Sequence, residues 1–388
     1  MLEPAYIAGL SDAFIELYAQ VERDITADVA RRISKTGYLT ETAKWQLERA
    51  NQIGMLKDDV AGILADATGL SKPAIRKLMR EAGYKALAAD DEIYAKAGLD
   101  KVIDFTKSDT MKSILLQGTD TTAKLMKNFT KTTSNTAVKA LENALDRTYL
   151  QVMSGAFSRE QAIKNAVNDL AKQGITKMAY PTGSSISVEA GVRRAVTTGI
   201  NQTCAKLQIA RAEELGSDLV QTSSHAGARP THAVWQGQVF SLSGRNGRYR
   251  DFYDATGYGT GEGLCGWNCY HNFFPYLEGI STRSFEQDPS ARLGKSNDQV
   301  YEESQKQRYY ERKVRDAKRR AATYKGAATG AKTSEEKAEY QAQYKEANKL
   351  VRKRQKALRE YCKATGRDQE YSRTYVVGYN KPVTIGSK

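Results

Sequence analysis

One short window of the chain collects its rarest residue types, and it limits the folds open to the chain more than any other segment. The window holds all three histidines, two of the four cysteines and two of the three tryptophans of the 388 residues. These residues are His225, His232, Trp235, Cys265, Trp267, Cys269 and His271. Glycines, which permit turns that other residues resist, are frequent between them. The window is therefore either a functional site or the turned centre of a compact domain.

The segments around this window indicate a compact α+β domain over residues 181–282. Apolar residues recur every three or four positions over 188–207, which predicts one long amphipathic helix. Residues 219–222 and 235–242 have the composition of short strands, and Gly237 would form a turn or bulge in the second. We expect the helix to pack on a small sheet that carries glycine-rich loops.

The N-terminal region, residues 1–108, is predicted to be helical. One stripe of apolar residues at helical spacing comprises Phe14, Leu17, Val21, Ile25, Val29 and Ile33. Ser11 can cap the start of this helix and Gly37 can end it. A second helix is expected to start near Thr40.

The middle region, residues 109–180, is predicted to contain further helix. Ser158 and Gln161 have the spacing of a capping box, in which each side chain bonds the backbone of the other residue. Gly174 is the expected end of the helix that they start.

Residues 60–78 carry the pattern of a helix-turn-helix. Gly69 stands four positions after the small residue Ala65, between two apolar segments. Ser71 would cap the second helix and Pro73 would lie in its first turn. The cations that would then face DNA phosphates are Lys72, Arg76 and Lys77. A plain helical corner gives the same pattern, and we prefer that interpretation.

The C-terminal region, residues 283–388, is predicted to be a basic helical hairpin with a tail. Residues 301–325 have a polar helical pattern, and the glycines of 326–330 are expected to break it. Ser334 would cap a second helix with tyrosines in its apolar stripe, and the chain from Tyr371 on is expected to be extended or disordered until a partner holds it. The whole sequence thus predicts a mostly α-helical fold with a small α+β domain: a helical N-terminal half, a compact Gly/His-rich domain and a long C-terminal helical hairpin.

Almost all of the positive charge lies in this last region. Residues 301–388 contain 23 Lys or Arg and 11 Asp or Glu, a net charge of +12 out of +14 for the chain. A basic segment on a nearly neutral body favours a polyanionic partner, with nucleic acid first and an acidic protein surface second. A solvated helical face is the alternative.

Composition also limits the compartment. The sequence has no run of eighteen apolar residues, so no membrane-spanning helix is expected, and no membrane partner. Cys204 and Cys362 are isolated, and the cysteines do not form a disulfide framework. The cytosol of the producing cell fits this pattern.

The His/Cys window has three interpretations. In the first, His225, His232, Cys265, Cys269 and His271 supply the nitrogen and sulfur ligands of a structural zinc ion, although their spacing is irregular. In the second, Cys269 or His232 acts as nucleophile or base, but no carboxylate is placed to orient a histidine. In the third, which we favour, the window is structural and no cofactor is bound.

On the structural interpretation, side chains tie the loops together and glycines provide the turns. The residues of this structural motif are His225, Arg229, His232, Trp235, Gly237, Gly259, Gly261, Trp267, Asn268, Cys269 and His271. The run Gly257-Tyr-Gly-Thr-Gly-Glu-Gly263 lacks the Lys-Ser/Thr of a P-loop, so nucleotide binding is not expected.

The same residues resemble the phage minor capsid protein 2 family, which is distantly similar to the Mu-type head-morphogenesis proteins. The resemblance rests on two blocks, 225–237 and 257–271, and runs from about residue 180 to about 375. Flanking blocks at 192–203 and 301–313 agree with it. Tyr270 departs from the family pattern, which has Arg at that position.

The resemblance implies a structural, non-enzymatic component of the virion, located inside the phage head after synthesis in the host cytoplasm. It implies the portal protein and other head proteins as partners. Basic clusters would contact the portal protein, or would bind double-stranded DNA without sequence preference. The residues of these clusters are Lys318, Arg319, Arg320, Arg352, Lys353 and Arg354. A helix-turn-helix regulator, or a metal-dependent hydrolase centred on His232, Cys269 and His271, is the alternative function.

Overall fold

The computed structural model describes residues 2–36, 42–99, 107–174, 178–179, 185–370 and 373–374. Within them the fold is mostly α-helical with a small antiparallel sheet, as the sequence predicts. Among these described residues, no helix combines the length and the apolar character needed to cross a membrane.

Ten helices and five short strands make up the described part of the chain. The helices are α1 (Pro4–Gly9), α2 (Asp12–Thr36), α3 (Thr42–Lys96), α4 (Asp109–Met153), α5 (Arg159–Gln173), α6 (Val188–Glu214), α7 (Pro230–Ala233), α8 (Phe252–Thr256), α9 (Asn297–Gly330) and α10 (Ser334–Thr365). The strands are β1 (Met178–Ala179), β2 (Ser185–Ile186), β3 (Leu219–Thr222), β4 (Val239–Ser241) and β5 (Phe273–Pro275). A 3₁₀ turn over Pro289–Leu293 precedes α9.

The chain folds into two compact units, each assembled from three separate stretches. The first unit comprises Met1–Asp12, Ser71–Met126 and Arg193–Lys306. The second unit comprises Ala13–Leu70, Lys127–Val192 and Gln307–Lys388. The sequential domain boundaries near residues 108, 180 and 282 stay predictions.

The first unit contains the predicted sheet and its long helix. Strand β3 is central, with β4 and β5 antiparallel on its two sides, so that Val220 lies opposite both Phe240 and Pro275. A buried core lies against this sheet. Its members are Ala205 of α6 together with Val220, Trp235, Phe240, Phe252, Leu264, Cys265, Cys269 and Phe273. Cys204 is also fully buried on α6.

Helices α4 and α6 approach closely in the first unit through two reciprocal contacts. A side chain at Gly118 of α4 would meet the methyl carbon of Thr203 at 2.8 Å, and one at Gly199 of α6 would meet that of Thr122 at 3.3 Å. The pairing order shows that the two helices run antiparallel. Each helix thus presents a glycine to a threonine of the other, which brings their backbones together.

In the second unit, α2 carries the predicted apolar stripe. Phe14, Val21 and Ile33 are among its buried residues. The Ser11 hydroxyl is buried before α2 without a hydrogen-bond partner among the described residues, so the predicted cap is wrong. Gly37 and Thr40 lie outside the described residues.

Helix α5 begins and ends where the sequence predicts. The Ser158 hydroxyl accepts a hydrogen bond from the Gln161 backbone N–H at 3.2 Å, and Gly174 is the C-cap. The Gln161 side chain donates to Asn165 at 2.9 Å instead of returning to Ser158. Only one half of the capping box therefore forms.

The helix-turn-helix and helical-corner interpretations of residues 60–78 are both wrong, because α3 is continuous through them. A buried stripe runs through the segment without a change of phase. Its members are Val60, Leu64, Ala67, Ser71, Ile75, Met79, Ala82 and Ala86. Burial at unbroken helical spacing outweighs the roughly 3 kcal/mol cost of Pro73 inside a helix. Ser71 is buried in the interior of the helix, so the predicted N-cap at this position is wrong.

Both predicted C-terminal helices form, but the predicted end of the first and the predicted N-cap of the second are wrong. Gly326 and Gly330 do not break α9, which runs to Gly330. The N-cap of α10 is Thr333 rather than Ser334, and Thr333 and Glu336 form a complete capping box. The tail from Tyr371 lies outside the described residues, except for 373–374.

The two glycines of α9 instead allow it to lie directly on α2 within the second unit. A Cβ atom at Gly326 would lie 2.7 Å from the carbonyl carbon and Cα of Ala27. One at Gly330 would lie 3.0 Å from the carbonyl carbon of Arg31. Because only glycine leaves room for this approach, the residues that resemble a helix breaker in the sequence are packing residues.

Candidate functional site

The first unit brings three side chains of the His/Cys window together. His232 lies on α7, while Cys269 and His271 lie on the loop that enters β5. The two histidine Nδ1 atoms are 3.4 Å apart. The Cys269 Sγ atom is 3.7 Å from Nδ1 of His232 and 3.6 Å from Nδ1 of His271. All three side chains are buried, and we call them the His₂Cys cluster.

The outer nitrogen of each histidine in the cluster has its own partner. Nε2 of His232 is 2.7 Å from the backbone carbonyl of Glu262. Nε2 of His271 is 3.0 Å from Oε1 of Gln236, whose amide nitrogen donates to the carbonyl of Gln287 at 2.8 Å. Glu262 thus reaches the cluster through its backbone rather than its carboxylate.

Burial sets the protonation of the cluster. It lowers the pKa of His232 to about 4 and that of His271 well below its ordinary value. It raises the pKa of the Cys269 thiol to about 11. Both imidazoles are therefore neutral near pH 7 in the protein alone, and the cysteine is a thiol rather than a reactive thiolate.

The other two predicted ligands lie beside the cluster. The His225 ring is 4.3 Å from the His271 ring between centroids, and its Nδ1 is 3.1 Å from the carbonyl of Ala226. The Cys265 thiol donates to the carbonyl of His271 at 3.6 Å, and its pKa is raised well above the ordinary value by burial. The structure therefore brings three of the five candidates together and places two at its edge.

Several predicted motif residues hold the loops around the cluster. Arg229 donates to the backbone carbonyl of Trp267 at 2.9 Å, and Trp235 packs with its ring centroid 4.9 Å from that of His271. Gly237, at φ 71°, leaves no room for a side chain, because a Cβ atom would lie 2.6 Å from the carbonyl oxygen of Glu286.

The glycine loop itself closes on Trp267. A Cβ atom at Gly261 would lie 2.6 Å from the Trp267 ring. Gly259 and Asn268 adopt positive φ angles of 95° and 53°. The Arg194 guanidinium of α6 lies over the Trp267 ring, 4.0 Å from its centroid.

Two residues that position the cluster are missing from the sequence-based selection. Asn201 of α6 donates to the carbonyls of Cys269 at 3.2 Å and His271 at 2.9 Å. Gln236 orients His271. Both lie inside the blocks that carry the family resemblance, which is the signal that could have identified them.

A second candidate surface is the outward face of α10. It consists of exposed cations at helical spacing, which we call the α10 cationic face: Lys345, Lys349, Arg352, Lys353, Lys356, Arg359 and Lys363. The opposite face of the helix is buried, with Ala347 and Leu358 among its residues. Two exposed ion pairs, Lys349–Glu346 at 2.6 Å and Lys356–Glu360 at 3.7 Å, reduce the charge only in part.

The basic residues that the sequence predicts to contact DNA or the portal differ in their exposure and partners. Arg352 and Lys353 belong to the α10 cationic face, and Arg320 and Arg354 are half-buried. Arg319 pairs with the buried Glu22 at 2.9 Å and also with Asp316. Lys318 donates to the carbonyl of Thr374, and burial lowers its pKa to about 8. Lys318 and Arg319 thus already serve contacts within the second unit.

Comparison with known proteins identifies the family. A structural protein of Lactococcus phage LL-H is 26% identical over 293 residues, covering 72% of this chain and 77% of that protein. A structural protein of Lactococcus phage mv4 is 40% identical over 78 residues, covering 19% of this chain and 57% of that protein. No solved structure gives a significant match. The family model described as phage minor capsid protein 2 matches residues 2–363. The chain therefore belongs to the phage minor capsid protein 2 family, whose members are structural components of the virion.

Proposed function

We propose that this minor capsid protein acts in head assembly inside the phage head, where the α10 cationic face holds packaged double-stranded DNA by its phosphates. The portal and neighbouring head proteins are its protein partners in this proposal. The observation that carries the DNA contact is the alignment of seven exposed cations on one side of a single helix.

The dimensions of this face suit a nucleic-acid backbone. Residues 345 to 363 span about 27 Å at the α-helical rise of 1.5 Å per residue. Measured along the duplex axis, that length spans about eight phosphates of one strand, at one phosphate per 3.4 Å of axis. Long, flexible side chains that carry the charge can follow phosphates without reading bases, so the binding is indifferent to sequence.

Salt-dependent DNA binding tests the proposal. We expect the full chain to bind DNA of any sequence, with an affinity that falls steeply as the salt concentration rises. Replacing Arg352, Lys356 and Arg359 by Ala should flatten the plot of log affinity against log salt by up to about 2.7, because each lost phosphate contact removes about 0.9.

A matched control removes the same charge elsewhere. Lys72, Arg76 and Lys77 are exposed on α3, and their replacement by Ala should leave the slope unchanged. If the two triple variants lower the salt-dependence slope equally, binding depends on net charge alone, and the assignment of the DNA contact to the α10 cationic face is wrong. Absence of DNA binding at low salt would contradict the DNA contact altogether.

Cosedimentation with assembled portal tests the protein partner. The family resemblance supports this choice, since its members are virion structural proteins. We expect the chain to sediment with portal at physiological salt and to remain in the supernatant without it. A chain that stays in the supernatant with portal present would contradict this part of the proposal.

A further inference from the structure

The atoms of the His₂Cys cluster have the separations of ligands around one tetrahedral metal ion. Zinc bonds of about 2.0–2.1 Å to nitrogen and 2.3 Å to sulfur, at tetrahedral angles, place two nitrogens about 3.4 Å apart and nitrogen and sulfur about 3.6 Å apart. The observed separations are 3.4 Å between the nitrogens and 3.6 and 3.7 Å from nitrogen to sulfur. The three atoms therefore form one face of such a tetrahedron.

The hydrogen bonds around the cluster fix where the imidazole protons are. A backbone carbonyl only accepts, so Nε2 of His232 must carry its proton toward Glu262. The Gln236 amide nitrogen is used by the Gln287 carbonyl, and its oxygen also accepts the His225 backbone N–H at 3.1 Å. That oxygen faces Nε2 of His271, which must therefore carry a proton as well.

Two nitrogen lone pairs and one sulfur atom consequently converge in a buried space. A neutral imidazole that donates from Nε2 has only a lone pair at Nδ1. The single thiol proton of Cys269 can satisfy one of the two nitrogens and leaves the other facing a second lone pair. A bound cation satisfies all three atoms at once, without disturbing either outer hydrogen bond.

We propose that His232 and His271, through Nδ1, and Cys269, through Sγ, bind a Zn²⁺-class ion. The donor set of two imidazoles and one thiolate suits zinc and its neighbours among the transition metals rather than magnesium or calcium. Binding releases the thiol proton to solvent. The Glu262 carbonyl and the Gln236 amide are the outer partners that orient the two histidine ligands.

The ion would join α7 to the loop that enters β5, and so close the glycine-rich loops against the sheet. Within the described part of the chain, these three side chains are the His, Cys, Asp or Glu residues that converge on this point, with their ligand atoms within 4.8 Å of one another. The site does not depend on the proposed DNA contact, because its ligands belong to the first unit and the α10 cationic face to the second.

Metal analysis and cobalt substitution of the full chain test the site. After removal of loosely bound metal, we expect close to one equivalent of zinc per chain. Cobalt(II) in its place should show the intense visible bands of a tetrahedral site and a sulfur-to-cobalt charge-transfer band in the near ultraviolet. Cys269→Ser should abolish the charge-transfer band and lower zinc retention at least tenfold.

Cys265→Ser is the matched control, because Cys265 is a buried thiol of the same core outside the cluster. It should keep both the zinc and the cobalt spectrum. Should Cys269→Ser fail to fold, addition of zinc to the metal-free native chain provides the second measurement, and it should raise the melting temperature. Less than a tenth of an equivalent of metal in the native chain, with no thermal shift on adding zinc, would overturn the proposal, as would equal loss of the cobalt charge-transfer band in both serine variants.

Discussion

Replacement of Gly326 by Ala tests whether α9 lies on α2 as closely as the structure indicates. The added Cβ atom would lie 2.7 Å from the carbonyl carbon and Cα of Ala27. Carbon atoms in favourable contact are about 3.5–4.0 Å apart. The two helices would therefore have to separate by about 0.8 Å or more, because backbone atoms of a helix cannot rotate away as a side chain does.

The expected loss of stability follows from two opposing contributions. Overpacking of this kind costs about 1–3 kcal/mol, and a rigid backbone neighbour places the cost in the upper half of that range. Alanine regains about 1 kcal/mol over glycine through its helix propensity. The net free energy of unfolding should thus fall by about 1–2 kcal/mol.

Gly62 of α3 provides the matched control, since it is an exposed helical glycine whose added Cβ would meet nothing within 4 Å. Gly62→Ala should raise the free energy of unfolding by up to about 1 kcal/mol. Urea unfolding followed by circular dichroism, with both variants in parallel, measures the difference. If Gly326→Ala is stabilised as much as Gly62→Ala, the close approach of α2 and α9 is wrong.

Three further changes have expected outcomes. Burial raises the pKa of Asp90, beside Asp91 and Arg211, to about 7. Between about pH 4 and 7 the folded chain therefore keeps a proton that the unfolded chain has lost, and the free energy of unfolding should fall by up to about 4 kcal/mol as the pH rises through this window. Asp90→Asn should flatten this pH dependence in unfolding curves measured at about pH 4 to 8. A profile unchanged by Asp90→Asn would refute the assignment. Thr333→Ala removes half of a capping box and should cost about 0.5–2 kcal/mol in urea unfolding; no loss would mean that the box does not stabilise α10. Phe252→Ala in the fully buried core should cost about 3–5 kcal/mol of thermal stability, and a shift below 1 kcal/mol would contradict the packing around the sheet.

Capping residues in the sequence predict helix ends correctly where tertiary packing does not override them. The predicted start and end of α5 are both correct, because Ser158 and Gly174 act within one turn of the helix. Residues 60–78 mislead, since Ser71 and Pro73 are local signals for the start of a new helix, while the buried stripe that accompanies the continuous α3 depends on packing. Gly326 misleads for the same reason: its partner Ala27 is far away in the sequence.

The His/Cys window could be predicted as a cluster but not resolved into ligands and neighbours. The spacing of histidines and cysteines along the sequence gives five equivalent candidate metal ligands. What separates Cys269 from Cys265 is the direction of each thiol, and what aims His271 is its bond to Gln236. Such directions depend on backbone turns with positive φ, including that of Cys265 itself at 58°, and residue composition does not encode them.

The ion pair between Arg319 and Glu22 joins residues 297 positions apart. A ribosome that adds about 5–20 residues per second needs about 15–60 s to make the intervening chain. Throughout that interval α2 has been synthesised and α9 has not, so the surface of α2 that α9 covers is open to solvent and to other nascent chains. Production of this protein in quantity should therefore depend on chaperones that shield its first helices during translation.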